Sequence, residues 1–168
     1  MSDCEFTTAD RLRSTVYNFC HAFVSGAPPS ETLDKYFTTN PTILEHGPEW
    51  ATSRLPFLAT TFEGRRLKEH SSDSDTQRKT CDNYYDLLTS TLSFHPSDDT
   101  LPPKERFMVD AKSKTVAVKL HARFESVKTG KSWEEDFVYV LSEFDEDFKI
   151  GRQELWADPL SAWAAVGD

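Results

Sequence analysis

The sequence has few cysteines and no long apolar run. Its three thiols, Cys4, Cys20 and Cys81, are odd in number and form no CxxC pair, so they predict no disulfide framework and suit a reducing compartment. No apolar stretch reaches the length of a membrane span, and the opening residues MSDCEFTTADRLR lack the apolar segment of a secretory signal. We therefore expect a soluble cytoplasmic protein that has no membrane partner.

Motifs that bind common cofactors or supply nucleophiles are also missing. The chain has no GxGxxG, no P-loop and no GxSxG elbow. Its five histidines are scattered, without an HxH or HExxH pair, which argues against a metal site. The cysteines lack the basic or helix-start setting of a nucleophile. Proton-transfer chemistry without metal or cofactor is the class of activity that remains.

Positive charge is scarce relative to negative charge. The chain has 19 Lys and Arg against 28 Asp and Glu, which gives a net charge of −9 at pH 7. Phosphates and anionic lipids repel such a chain, so neither nucleic acid nor membrane is expected as a partner. The 168 residues are 38% apolar and include twelve Phe, five Tyr and four Trp. This length and composition predict one folded domain over residues 1–168.

The first half of the chain shows helical spacing of apolar residues. Thr7 and Asp10 have the spacing of a helix-opening capping pair, and apolar residues follow at helical intervals up to Phe23. The sequence further predicts a short helix from Ser30, a strand over residues 42–44, a short helix over residues 54–62 and a helix in CDNYYDLLTSTLSF. The polar stretch RRLKEHSSDSDTQRKT, around His70, predicts a loop or a mobile lid.

From Phe107 onward the apolar period changes to two. The segments FMVD, TVAVKLHARFESV, SWEEDFVYVLSEF and KIGRQELWAD predict four strands joined by short turns. Strands joined in this way favour an antiparallel meander, and helices followed by such a sheet predict the α+β class. If residues 129 and 130 form the tight turn of the central hairpin, Arg123 lies opposite Asp136, and His121 lies opposite Val138.

This register gives the central hairpin an apolar face and a mixed face. The apolar face runs in alternate positions from Val118 to Leu141 and must pack on helices or on another subunit. The mixed face combines two valines with an imidazole, a guanidinium and carboxylates, which suits neither a solvent face nor a dry core. We therefore expect the mixed face to line a pocket. The alternative is a cross-strand salt bridge beside a solvated histidine.

A further candidate for proton transfer ends the first strand, in the segment PTILEHGPEW. His46 follows the strand directly, and an imidazole can accept or give a proton near neutral pH. The neighbouring Glu45 has the opposite parity and is predicted to lie outside the pocket. The alternative for His46 is a turn histidine bonded to the local backbone.

The order of these motifs resembles the SnoaL-like branch of the nuclear-transport-factor-two-like (NTF2-like) superfamily. The resemblance covers nearly the whole chain and is carried by EHGPEW, LPFLATTFEG, YYDLLTSTLSF, TGKSWEEDFVYVLSEFDEDFKI and LWADPLSAW, in that order. It is strongest to fungal members that tailor polyketides and meroterpenoids. It implies a curved antiparallel β-sheet wrapped as a cone around N-terminal helices, an α+β roll of the cystatin-like kind.

The resemblance also implies roles for single residues. The isomerase-type general base lies at the end of the first strand, where this chain has His46 and the family commonly has a carboxylate. The pocket face of the penultimate strand corresponds to Val140, Val138 and Asp136, and the aromatic of the last strand to Trp156. Together with the mixed face, these matches predict four catalytic residues: His46, His121, Asp136 and Arg123. The predicted substrate-binding residues are Arg54, Phe57, Phe62, Tyr84, Val138, Val140 and Trp156.

The predicted activity is an isomerisation or cyclisation by general acid–base catalysis. The substrate would be a hydrophobic polyketide or meroterpenoid intermediate of secondary metabolism, and no cofactor would be required. A dehydratase of the scytalone dehydratase type would use the same groups, and the superfamily also contains non-catalytic modules that bind small ligands or proteins. Both alternatives stay open. The apolar sheet face and the habit of the family further predict a homodimer formed through that face.

Overall fold

The fold is taken from a computed structural model, which describes residues 6–67 and 79–167. The helices are α1 (Thr8–Val24), α2 (Pro29–Tyr36), α3 (Cys81–Thr91) and α4 (Pro159–Val166). The strands are β1 (Phe37–His46), β2 (Thr61–Glu63), β3 (Leu92–His95), β4 (Met108–Asp110), β5 (Thr115–Ser126), β6 (Ser132–Ser142) and β7 (Ile150–Trp156). Most of the predicted lid, including His70, lies outside the described residues.

Helix α1 begins at the predicted capping pair. The Thr7 hydroxyl accepts from the Asp10 backbone N–H, and the Asp10 carboxylate accepts from the Thr7 backbone N–H, so two helix-end donors are satisfied. The helix buries the face that carries Leu12, Val16 and Phe19. Phe19 stacks on Tyr139 of β6 at 6.0 Å between ring centroids, so this face packs on the sheet.

The strands form one curved sheet in the order β2-β1-β7-β6-β5-β3, with β4 on the same edge of β5 as β3. The predicted α+β class, a curved sheet packed on helices, is confirmed. The neighbouring strands pair antiparallel except β1 and β7, which pair in parallel. This parallel pair was not predicted, because it joins distant parts of the chain. It places His46, at the end of β1, beside Trp156 at the end of β7.

The β5–β6 hairpin has a different register from the predicted one. His121 lies opposite Asp136, and Arg123 lies opposite Glu134. The turn contains residues 127–130 rather than two residues, and Gly130 takes the left-handed conformation, with φ of 72°, that the end of this turn requires. The predicted register is therefore wrong by two residues. Because side chains along a strand alternate between the two faces, every side chain still lies on its predicted face.

The pocket was predicted on the mixed face of this hairpin, but the structure encloses the apolar face and leaves the mixed face on the outside. Val118, Leu120, Phe137 and Leu141 of the apolar face are buried within the single chain, and α1 and α4 pack on this side. The expectation that the apolar face packs on helices is therefore confirmed, and the chain's own helices already cover the surface that was expected to form a dimer. The expectation that the mixed face lines a pocket is wrong, because that face is the outer side of the sheet.

Residues 54–62 do not form the predicted helix. A 3-10 turn covers Glu49–Ser53, and strand β2 begins at Thr61 and pairs with residues 42–44 of β1. The pairing with β1 supplies backbone partners that the local sequence does not reveal. Within residues 6–67 and 79–167, no helix combines the length and apolarity that a membrane crossing requires.

Candidate active site

A cavity lies between the inner face of the sheet, helix α3 and the start of helix α4. Most of its wall is apolar or aromatic, and the polar groups that line it are few. The lining residues are Phe23, Glu45, Leu55, Phe57, Leu58, Tyr84, Leu88, Leu92, Phe124, Trp133, Glu135, Phe137, Tyr139, Leu155, Ala157, Asp158, Pro159 and Ala162. A concave apolar site with a few converging polar groups is the usual form of a small-molecule site.

The cavity is narrow. Its walls enclose about 480 Å³, part of it open to solvent, of which only about 40 Å³ can be occupied by the centre of a water molecule. This space accommodates water or a group of a few atoms. A polycyclic ligand would have to displace side chains of the wall.

Glu45 projects into this cavity from strand β1. The strand alternates, so Ile43 and Glu45 face inward, whereas Leu44 and His46 face outward. The Tyr84 hydroxyl of α3 donates to Glu45 Oε2 at 2.6 Å, and Tyr84 itself is fully buried. Burial raises the pKa of the Glu45 carboxyl to about 7, opposed by the Tyr84 hydrogen bond and reinforced by the charge of Glu135. A carboxyl of this kind can give or accept a proton at neutral pH.

Glu135 is a second carboxyl in the same cavity. It lies on the inner face of β6, where Trp133 Nε1 donates to Glu135 Oε2 at 2.7 Å. Burial raises the pKa of Glu135 to about 7, although donation from Trp133 and from the Asp158 backbone opposes the shift. The negative charge of Asp158 raises it further. The cavity therefore holds two carboxyls that titrate in the neutral range.

His46 points away from the cavity, which contradicts the predicted orientation. Its ring stacks on Trp156 with 4.2 Å between centroids, and its Nε2 lies 2.9 Å from Glu154 Oε1. The parity of β1 was assigned the wrong way round: Ile43 is anchored in the core, and Glu45 shares its side of the strand.

The other three residues predicted as catalytic also lie on the outer face. His121 Nδ1 is 2.8 Å from Asp136 Oδ1, and Lys119 Nζ is 3.2 Å from Asp136 Oδ2. Arg123 approaches Glu125 at 3.5 Å. These contacts form a solvent-facing network of charged groups, which corresponds to the alternative of a cross-strand salt bridge beside a solvated histidine.

The predicted substrate-binding residues fall into two groups. Phe57 and Tyr84 line the cavity; their role in binding stays a prediction. The remaining members do not line it: Val138, Val140 and Trp156 are on the outer face, and Phe62 packs behind Tyr84 at 5.5 Å between centroids. The Arg54 guanidinium lies 3.6 Å above the Trp163 ring and donates to the Trp163 carbonyl.

Sequence reasoning missed the two carboxyls that the structure brings together. Glu135 has the same parity as Trp133 and Phe137, so it was a carboxyl within an apolar strand face, a pattern that marks a buried ionisable group. Glu45 has the same parity as Ile43. Both signals were present in the strand alternation once the faces were correctly assigned. Within residues 6–67 and 79–167, no cluster of three His, Cys, Asp or Glu side chains could hold a metal ion.

Comparison with known proteins identifies the fold. No family model and no curated protein matches the sequence. An NTF2-like protein from Burkholderia xenovorans LB400 superposes with a TM-score of 0.64 at 13% identity, over 95% of this chain and 98% of that one. A proposed isomerase from Bacillus subtilis gives 0.62 at 14% identity, over 95% and 94%. A proposed SnoaL-like polyketide cyclase from Mesorhizobium loti gives 0.54 at 12% identity, over 84% and 95%.

These similarities show that the protein has an NTF2-like fold, which the similar SnoaL-like structure shares. The resemblance noted in the sequence is thereby confirmed for the fold. Two of the three similar structures are described as proposed enzymes, an isomerase and a polyketide cyclase. At identities of 12 to 14%, the particular reaction of this chain has to be argued from its own cavity.

Proposed function

We propose that this protein is a cofactor-independent isomerase or cyclase that transfers protons on a neutral, oxygen-containing substrate. The observation that carries the proposal is the buried Glu45 carboxyl, bonded to Tyr84 inside an apolar cavity. General acid–base catalysis works best when the pKa of the group lies near the working pH, and the pKa of Glu45 is raised to about 7. Tyr84 and the carboxyls supply hydrogen-bonding groups for a substrate oxygen.

The charge of the cavity wall supports a neutral substrate. Among the described residues, no Lys, Arg or His side chain lines the cavity. Glu45, Glu135 and Asp158 line it instead, so an anionic substrate would be repelled and would find no counter-charge. A ketone or another uncharged carbonyl compound fits this environment, because its oxygen can accept a hydrogen bond without bringing a charge into the cavity.

The aromatic wall supports an apolar carbon skeleton. Phe57, Phe124, Phe137 and Trp133 provide flat apolar surfaces, as a polyketide or meroterpenoid intermediate of secondary metabolism would require. The similarity to a structure described as a proposed polyketide cyclase favours the same substrate class. Such a molecule would enter only when wall side chains move, so a smaller compound is the better first probe.

The test uses a β,γ-unsaturated cyclohexenone as the probe. Its isomerisation to the conjugated enone is followed by ultraviolet absorbance, and exchange of its α-protons in D₂O is followed by NMR. We expect Glu45→Gln to lower the wild-type rate by about 10²- to 10⁴-fold, the usual contribution of a general acid or base. Glu154→Gln, which changes a carboxyl on the outer side of neighbouring strand β7, is the matched control and should retain the rate.

The same assay tests the prediction made for His46. A large loss in His46→Gln together with an unchanged rate in Glu45→Gln would contradict the proposal and would move the chemistry to the outer face. Binding of the probe without isomerisation or exchange in the wild type would also contradict it, because a non-catalytic module binds without transferring protons.

A further inference from the structure

Glu45 and Glu135, two of the three carboxyls that line the cavity, differ in the hydrogen-bond partners that the chain gives them. Glu135 receives the indole N–H of Trp133 at 2.7 Å, and the Asp158 backbone N–H acts on it as a second donor. Indole and amide N–H groups can only donate, so they stabilise the carboxylate form and offer nothing to a carboxylic acid proton. The hydrogen-bond partners of Glu135 therefore favour its ionised, carboxylate form.

Glu45 has a different partner and deeper burial. Its hydrogen bond comes from the hydroxyl of Tyr84 at 2.6 Å, and a hydroxyl can also accept a hydrogen bond from a carboxylic acid. The exposed fraction of Glu45 is 6%, against 9% for Glu135. A single amphoteric partner in an apolar setting compensates a negative charge poorly, so Glu45 is the carboxyl that keeps its proton.

Electrostatics oppose ionisation of both groups at once. Glu135 and the Tyr84 hydroxyl act on Glu45, and the charge of Glu45 in turn raises the pKa of Tyr84, Tyr85 and Tyr139. Asp158 acts on Glu135 from the β7–α4 connection. No cation lines the described part of the cavity, so two carboxylates would repel each other in a medium of low dielectric constant. The pair therefore loses its protons in two steps that belong to both groups.

We propose that Glu135 is the base and Glu45 the acid of one proton-transfer pair. This inference rests on the proposed function, and it assigns which carboxyl removes a proton from the substrate and which one donates a proton to it. Glu135 removes a proton from the carbon next to a carbonyl group while Glu45 gives its proton to the carbonyl oxygen. The products of this step are a neutral enol, a Glu135 carboxylic acid and a Glu45 carboxylate.

The second step restores the enzyme. When the substrate is a β,γ-unsaturated ketone such as the probe, the enol is a dienol, so Glu135 returns its proton to the γ-carbon and the O–H of the dienol returns its proton to Glu45. The carbon–carbon double bond has then moved, no atom is gained or lost, and both carboxyls regain their starting states. Neither step requires a cofactor. In D₂O, exchange of the Glu135 proton with solvent between the two steps introduces deuterium into the ketone.

The protonation states are tested by infrared spectroscopy on the full chain, without any substrate. The carboxylic acid C=O band is titrated from acidic to alkaline pH in the wild type, Glu45→Gln and Glu135→Gln. We expect Glu45→Gln to abolish the step at higher pH and Glu135→Gln to abolish the step at lower pH. In Glu135→Gln the remaining band belongs to Glu45. It should titrate at a lower pH than the upper step of the wild type, because the charge of Glu135, which raises the pKa of Glu45, is absent. The reverse assignment would overturn the proposal.

The catalytic role of Glu135 is tested with its neighbour as the control. Glu135→Gln should lower the rate on the cyclohexenone probe by about 10²- to 10⁴-fold, whereas Glu134→Gln, exposed on the outer face of the same strand, should change it by less than about twofold. If Glu135→Gln retains the wild-type rate and Glu45→Gln does not, the proposed function stands and this inference falls. If the wild type transfers no proton, the proposed function falls, and the infrared titration still decides which carboxyl holds the proton.

Trp133→Phe provides a second variant in case Glu135→Gln does not fold. It keeps an aromatic ring in the cavity wall and removes one donor that favours the ionised Glu135. The lower infrared step and the acidic limb of the pH–rate profile should then move together to higher pH. An unchanged lower step in a folded Trp133→Phe protein would contradict the assignment of Glu135.

Discussion

The raised pKa of Glu45 makes a prediction about stability that requires no substrate. The native state holds the Glu45 proton up to a pH of about 7, whereas the unfolded chain releases it near 4.5. Between these pH values the native state binds more protons than the unfolded state, so the free energy of unfolding falls as the pH rises. Above about 7 the contribution is constant. Glu45→Gln removes this dependence, because an amide does not titrate.

The size of the effect follows from the two pKa values. Each unit of separation corresponds to about 1.4 kcal/mol, so the change from 4.5 to about 7 costs the wild type about 3 kcal/mol at alkaline pH. Because the charges of Glu45 and Glu135 interact, part of this free energy belongs to the pair and not to Glu45 alone. We therefore expect Glu45→Gln to gain about 2 to 3 kcal/mol relative to the wild type between about pH 5 and about pH 8. The same substitution should lower the rate on the probe by about 10²- to 10⁴-fold.

Urea denaturation at several pH values measures this difference. Glu154→Gln is the control: desolvation is outweighed by hydrogen bonds from His46 and Arg152, and the pKa of Glu154 lies below 4.5. Its contribution to stability is lost only as the pH falls through that lowered pKa, so the ionisation of Glu154 itself should add no pH dependence to the difference from wild type between about pH 5 and about pH 8. Parallel pH profiles for wild type and Glu45→Gln would refute a buried Glu45 with a raised pKa.

Three further predictions concern the cavity, the sheet and the assembly. Tyr84→Phe removes the hydrogen bond that lowers the pKa of Glu45, so the pH at which stability levels off should move upward; an unchanged midpoint in urea titrations would contradict this. Gly151→Ala should lower the melting temperature by several degrees, because its Cβ would lie 2.2 Å from the Glu143 carbonyl oxygen; wild-type melting would show that this contact relaxes. We propose a homodimer formed through the outer face in place of the apolar face first predicted, since the outer face leaves Trp156 43% exposed, and sedimentation as a monomer at micromolar concentration would contradict it.

Strand alternation explains why the faces of the sheet could be predicted while the site could not. The residues of β5 and β6 were sorted correctly into two faces, because an error of two residues leaves parity unchanged. The position of the cavity was inverted, because a mixed face and an apolar face are both compatible with a pocket until the helices are placed. In the sequence, Glu135 is a polar exception in an otherwise apolar strand face. In the structure, this exception is one of the ionisable groups that line the cavity.

The sequence by itself determined the α+β class, the capping of α1 at Thr7 and the separation of the hairpin faces, because these depend on residues close together in the chain. Only the tertiary structure decided which face encloses the cavity and that Glu45 rather than His46 enters it. That choice depends on the parallel pairing of β1 with β7 and on the packing of α1, α3 and α4 against one side of the sheet. Contacts between distant segments fix it, and no local pattern encodes them.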